Sequence, residues 1–169
     1  MVLPFPPAVT FHGSSPPQPL RGMKLSEYLS PERIIFTQAT QRDAALGELA
    51  NLLAGAAHTA PAPLTQAILE RERLCSTGIG FGIAVPHVRT DKVDKLLMAV
   101  AVCRQPLEFN SLDGEPVHAI FMFAGHPQSH REYLKALSRV TSFCRQPEWR
   151  KALLATRDAA AVLRLLASD

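Results

Sequence analysis

The stretch Cys75-Ser76-Thr77-Gly78-Ile79-Gly80-Phe81-Gly82-Ile83-Ala84-Val85-Pro86-His87 is a glycine-rich loop that feeds a short apolar run and ends on Pro-His. Glycines at alternate positions let a backbone turn tightly and approach a partner without Cβ obstruction. Backbone N–H groups in such a loop can cradle an anion. An imidazole delivered there by a strand is a nucleophile or proton carrier near pH 7. Pro86 fixes its own φ and restricts the residue before it, so the approach to His87 is stiff. Arg71 precedes the loop by enough chain to fold back on His87, and a guanidinium is a planar fork for phosphate oxygens. Together these residues suggest chemistry on a phosphoryl group. His87 is the candidate acceptor and Arg71 its electrostatic partner. Ser76 and Thr77, with the backbone at Gly78 and Gly80, are the candidate phosphate-binding groups. The residues alone leave a second reading open, in which His87 is a buried histidine at a strand end.

Other chemistries fit this loop less well. Gly78-Ile79-Gly80-Phe81-Gly82 lacks the spacing and strand-first context of a dinucleotide fingerprint, and no Gly-Lys-Ser/Thr ending marks a P-loop. A G-x-S-x-G nucleophile elbow is missing as well. Of the remaining histidines, His12 and His58 read as solvated and His118 as a sheet or core histidine. His126 and His130 share an H-x-x-x-H spacing, but Pro127-Gln128-Ser129 opposes a continuous helix and the Glu of a zinc-protease motif is absent, so no metal site is expected. Cys75, Cys103 and Cys144 form no C-x-x-C pair, which fits a reducing compartment and small buried hydrophobes.

These residues must be positioned by a folded core, and the chain has material for one. Of its 169 residues, 47% are hydrophobic and 20% charged, a globular balance that fits one domain with a tail. No apolar run approaches the roughly 18 residues of a membrane span, so no membrane insertion is expected. The net charge of +3 comes from scattered basic residues, which argues against a nucleic-acid partner and leaves room for an acidic protein partner.

Residues 1–22 carry Pro4, Pro6, Pro7, Pro16, Pro17 and Pro19 and read as a disordered proline-rich tail, native or added, with Met23 a natural start of the domain over 23–169. Lys24 to Leu29 reads as a helical turn and Arg33 to Phe36 as a first strand. Helical spacing of Ala44, Leu46, Leu49, Ala50, Leu52 and Leu53 predicts a helix over 41–57, with Thr40 and Asp43 as a capping arrangement. Pro61 and Pro63 open a second helix through Arg73. Ile83 to Val88, Leu96 to Cys103 and Val117 to Ala124 read as strands, with a shorter one at Leu107 to Phe109. Their continuous apolarity predicts cover on both faces. Helices follow over 129–144, from Pro147 through Ala155, and over 158–167 with Asp158 as a cap. Helices, then strands, then helices around one sheet give a single-domain α/β sandwich.

The run from Arg71-Glu72 through Ser76-Thr77-Gly78-Ile79-Gly80 to Ile83-Ala84-Val85-Pro86-His87 closely resembles the active-site signature of the enzyme IIA proteins of the bacterial phosphotransferase system, fructose/mannitol/nitrogen-regulatory class. The resemblance extends from Met23-Lys24-Leu25-Ser26 through Leu112-Asp113-Gly114-Glu115-Pro116-Val117-His118 to the final helices. It implies a central mixed sheet flanked by helices and a phosphorelay. His87 accepts a phosphoryl group on Nε2 from HPr or a homologue, and passes it to a IIB partner or signals by its phosphorylation state. Arg71 is then the arginine that assists transfer. No metal or organic cofactor is implied, and the compartment is the cytoplasm. One departure stands out: Tyr133 occupies the place where many members carry a second histidine, and His130 lies about one helical turn earlier. The leading expectation is a phosphoryl carrier without fused IIB or IIC domains. The alternative is a regulatory interaction protein that keeps the fold and has lost turnover, against which Arg71, Ser76, Thr77 and His87 all stand.

Overall fold

The computed structural model describes residues 24–167, so the expectations for the proline-rich segment and for Met23 lie outside the described residues. The strands are β1 (Ile34–Thr37), β2 (Gly78–Gly80), β3 (Ile83–Ala84), β4 (His87–Arg89), β5 (Leu97–Leu107) and β6 (Val117–Gly125). The helices are α1 (Arg42–Ala56), α2 (Pro61–Leu74), α3 (His130–Cys144), α4 (Pro147–Ala155) and α5 (Ala159–Ala167). The sheet runs in the order β1-β5-β6-β3-β2, with β4 also paired to β6. β1 lies parallel to β5, β5 and β6 are antiparallel, β3 and β4 are parallel to β6, and β2 and β3 are antiparallel. The sheet is therefore mixed, as expected.

Strand periodicity divides the core into two layers. Met98, Val100 and Val102 of β5, with Ala119, Phe121 and Phe123 of β6, pack against Tyr133, Ala136 and Val140 of α3 and against α4 and α5. The alternate residues Leu97, Ala99, Ala101 and Cys103, with Ile120, Met122 and Ala124, pack against Leu46, Leu49 and Leu53 of α1 and Leu64 and Ile68 of α2. Both faces are thus covered, which is why β5 and β6 read as unbroken apolar runs rather than as alternating ones.

Several local expectations shift. The single run Ile83 to Val88 is two short strands in one register along β6, interrupted at Val85-Pro86. Pro86 has no N–H for the ladder, although its carbonyl still accepts from Phe123 N. Leu107 belongs to β5, beyond a register shift that begins after Val102, and Phe109 is buried outside any strand. Gln41 rather than Thr40 caps α1, without a side-chain bond, and the Asp43 carboxylate accepts instead from Arg42 Nε at 2.9 Å. Ala45 and not Ala44 faces the core from α1, and in α3 Ala136 and Phe143 are inside while Leu134 is half exposed. Asp158 caps α5 as expected, its Oδ1 accepting from Ala161 N at 2.7 Å.

Candidate functional site

β4 runs along the end of β6, pairing His87 with Phe123 and Arg89 with Gly125. The chain leaves β6 at Gly125, makes a tight turn over Pro127–Ser129 and enters α3 at His130. The first turn of α3 therefore stands beside β4, while the last turn of α2 brings Arg71 from the other side. Arg71, His87, Val88, Arg89, His130 and Tyr133 line one cavity of about 330 Å³. A larger groove of about 420 Å³ between Asn51 of α1 and Pro61, Gln66 and Arg73 of α2 contains no histidine or carboxylate among its lining residues.

His87 is half-buried, and its Nδ1 lies 3.0 Å from the carbonyl oxygen of Val85. A carbonyl can only accept, so Nδ1 carries the proton and Nε2 is the unprotonated nitrogen, on the other side of the ring. Burial lowers the imidazole pKa from its ordinary value, the Arg71 and Arg89 guanidiniums lower it further, and the Val85 bond and Glu72 oppose them. The ring is held neutral with Nε2 available, which is the form a nucleophile requires.

The Val85 carbonyl is itself positioned from α2. Glu72 is 3% exposed and accepts from both Thr77 N at 2.9 Å and Thr77 Oγ1 at 2.6 Å. The Thr77 carbonyl accepts from Val85 N at 2.9 Å, and the Val85 carbonyl accepts from His87. Glu72 thus reaches His87 through three links. Arg71, the neighbouring residue, points the other way: its Nη1 donates to the Cys75 carbonyl at 3.0 Å and the side chain lines the cavity. Consecutive helical residues diverge by about 100°, so one serves the interior and the other the pocket.

Of the expected site residues, His87, Arg71 and His130 converge. Ser76, Thr77, Gly78 and Gly80, expected to bind phosphate, are not among the residues lining this cavity. The Ser76 hydroxyl donates to the Phe109 carbonyl at 2.6 Å and accepts from Gly78 N, and the Thr77 hydroxyl is committed to Glu72. The two glycines face the turn at 110–114. A Cβ on Gly78 would stand 2.9 Å from the Ser111 backbone, and one on Gly80 would stand 2.9 Å from an Asp113 carboxylate oxygen. That same oxygen accepts from Phe81 N, so a carboxylate occupies the place proposed for an anion. Gly80, Phe81 and Gly82 all have positive φ, the tight turn that joins β2 to β3.

Three contributors were not picked out from sequence. Arg89 reaches the cavity through the β4–β6 pairing, and its Nη1 lies 3.5 Å from His130 Nδ1. Since arginine only donates, His130 accepts there. Glu72 acts from behind the loop. Tyr133 stood out only as a departure from a motif, yet its ring centroid is 5.2 Å from that of His87. A lone charged residue after a strand gives no signal of such convergence. Arg71-Glu72 gives one, because adjacent residues at a helix end point about 100° apart and cannot both face the same neighbour. Among the described residues, no cluster of three or more His, Cys, Asp or Glu is placed to hold a metal ion.

Residues 27–169 match the family described as "Phosphoenolpyruvate-dependent sugar phosphotransferase system, EIIA 2". The chain belongs to this family. Its role is that of a phosphoryl carrier, or of a protein that signals through its phosphorylation state. The family member is similar to a nitrogen regulatory protein of Bradyrhizobium diazoefficiens, 32% identical over 86% of this chain and 95% of the relative. It is 33% identical to the fructose-specific EIIABC component of Bacillus subtilis, over 85% of this chain but 23% of that protein. Its fold matches the crystal structure of the nitrogen regulatory protein IIA-Ntr from Neisseria meningitidis with a TM-score of 0.80 at 28% identity, covering 83% of this chain and 97% of that one. No helix among the described residues is long and apolar enough to cross a membrane.

Proposed function

We propose that His87 is the phosphoryl acceptor of this EIIA protein and that the phosphoryl group is carried on Nε2. The observation that carries this reading is the Nδ1–H bond to the Val85 carbonyl, which leaves Nε2 with its lone pair inside a cavity lined by two guanidiniums. In transfer, the Nε2 lone pair forms the new bond to phosphorus as the bond to the donor's ring nitrogen breaks, and that electron pair returns to the donor. Phosphoryl transfer of this kind depends on positioning and on charge stabilisation rather than on covalent help. Arg71 and Arg89 offset the charge on the phosphoryl oxygens, and His130 holds Arg89 at the cavity mouth. The donor is an HPr-type phosphocarrier, and the exchange takes place in the cytoplasm. The recipient is a IIB protein or a regulatory target. The likeness over 95% of a nitrogen regulatory protein supports regulation as the destination.

The test is to incubate the protein with phosphoenolpyruvate, enzyme I and HPr and to locate acid-labile phosphate. Label on wild-type protein that disappears in His87→Ala is expected. Full labelling of His87→Ala would move the acceptor elsewhere, with His130 first to examine. Discharge of the label by a IIB protein would mark transport, and its retention beside a phosphorylation-dependent partner would mark regulation.

A further inference from the structure

The first turn of α3 borders two cavities that share no lining residue. His130 and Tyr133 serve the one at His87, and Glu132 serves another of about 190 Å³. This second cavity gathers charge of both signs. Glu27 and Tyr28 come from the turn Leu25–Tyr28, Arg33 from the turn Pro31–Arg33, and Lys95 from the segment before β5. Two acids and two bases in so small a space could pair, yet among the described residues none of the four is within ion-pair distance of another. The two acids act together elsewhere: burial, then the charges of Glu132 and Glu27, raise the Tyr28 phenol pKa. Burial lowers the Arg33 pKa, and the carboxylate that opposes this is Glu32, which does not line the cavity. Arg33 is fixed by its own bonds, Nε donating to the Met98 carbonyl at 3.0 Å and Nη2 to the Tyr28 carbonyl at 3.1 Å. The opposite charges are therefore held apart rather than neutralised.

We propose that this cavity binds a compact zwitterion of the α-amino acid class, with its ammonium group at Glu27, Glu132 and Tyr28 and its carboxylate at Arg33 and Lys95. An ammonium group is attracted by carboxylates and by an aromatic face, and both are present on one side. A carboxylate matches the guanidinium of Arg33 and the ammonium of Lys95. The four charges sum to zero, so a ligand with a single charge would leave two like charges in the cavity unanswered, and a zwitterion answers both pairs. The volume is below the roughly 300–1,000 Å³ of sites for drug-sized ligands, which limits the ligand to a short molecule. Ala56 and Leu96 add apolar lining for a small aliphatic side chain. The inference stands independently of His87 as acceptor, since no residue of the transfer cavity takes part.

The full chain, labelled with ¹⁵N, is titrated with glycine, L-alanine and L-valine and followed through its amide shifts. Isobutylamine and 3-methylbutyrate, which each keep one of valine's two charges, are titrated alongside. Saturable shifts centred on Tyr28, Leu96, Leu97 and Glu132 are expected for at least one amino acid, at millimolar concentration or below. The one-charge analogues should bind more weakly by roughly ten-fold or more, the effect of losing charge-assisted hydrogen bonds at one end. Glu27, Lys95 and Glu132 are exposed, so the double variant Glu27→Gln/Glu132→Gln and the variant Lys95→Met should keep the fold, seen as unchanged amide shifts elsewhere. Each should weaken the amino acid by about ten-fold. No saturable shift with any of the three amino acids at tens of millimolar overturns the proposal. So does an analogue that binds as tightly as L-valine, which would make this a site for a single charge. Undiminished affinity in either variant overturns it as well.

Discussion

Glu72→Ala removes one acceptor and strands two donors. Glu72 and Thr77 are 3% and 5% exposed, so neither Thr77 N–H nor its hydroxyl recovers a bond to water without loop movement. Each buried unsatisfied donor costs about 1–3 kcal/mol, which puts the loss near 2–6 kcal/mol. For a chain of this size, each kcal/mol moves Tm by about 2–4 °C, so a fall of roughly 10 °C is expected. Urea unfolding measures the free energy directly. Thr77→Val in both backgrounds completes a double-mutant cycle whose coupling term should be about 1–2 kcal/mol. A second readout follows the chain of bonds to His87. Glu72 raises the His87 pKa, so its removal should lower the imidazole titration midpoint, followed by NMR of the ring protons. A stability loss below about 1 kcal/mol, or zero coupling with Thr77, would refute the idea that α2 holds the loop through this carboxylate.

Three further outcomes are expected. The depressed His87 pKa means that the unfolded chain takes up its proton first as pH falls, so this contribution to stability is complete above the ordinary value of 6.5 and is lost as pH drops through the lower folded value. Thermal melts of wild type should therefore weaken between pH 7 and 5 more than those of His87→Gln. Gly78→Ala forces a methyl against the Ser111 backbone and should cost about 1–3 kcal/mol, read by urea unfolding. Of the three thiols, exposed Cys75 should react first with a disulfide reagent, while buried Cys103 and Cys144, whose thiols burial pushes up to about 12, react only on unfolding.

Much of this architecture was readable from residue order, for physical reasons that differ between elements. β5 and β6 declare themselves because both faces are buried, and α2 because prolines mark its start. His87 declares itself because proline stiffens its approach. The break between β3 and β4 was not readable, since it depends on which ladder partner Pro86 meets in β6. The glycines of the loop looked like an anion cradle because an open backbone carries the same composition whether it meets a phosphate or the side chain of Asp113. The hydroxyls of Ser76 and Thr77 found partners, Phe109 and Glu72, that only the fold brings near. Arg89 and Tyr133 enter the cavity through long-range pairing of β4 with β6 and the turn that follows it, and local pattern carries no trace of such a meeting.

The central claim concerns one nitrogen atom. Protein labelled with ¹⁵N-histidine, phosphorylated through HPr and observed by NMR, reports which ring nitrogen of His87 is coupled to phosphorus. The Val85 bond to Nδ1 predicts phosphorus on Nε2, with the Nδ1 proton still in place. Phosphorus on Nδ1, or on His130 with His87 unchanged, would contradict it.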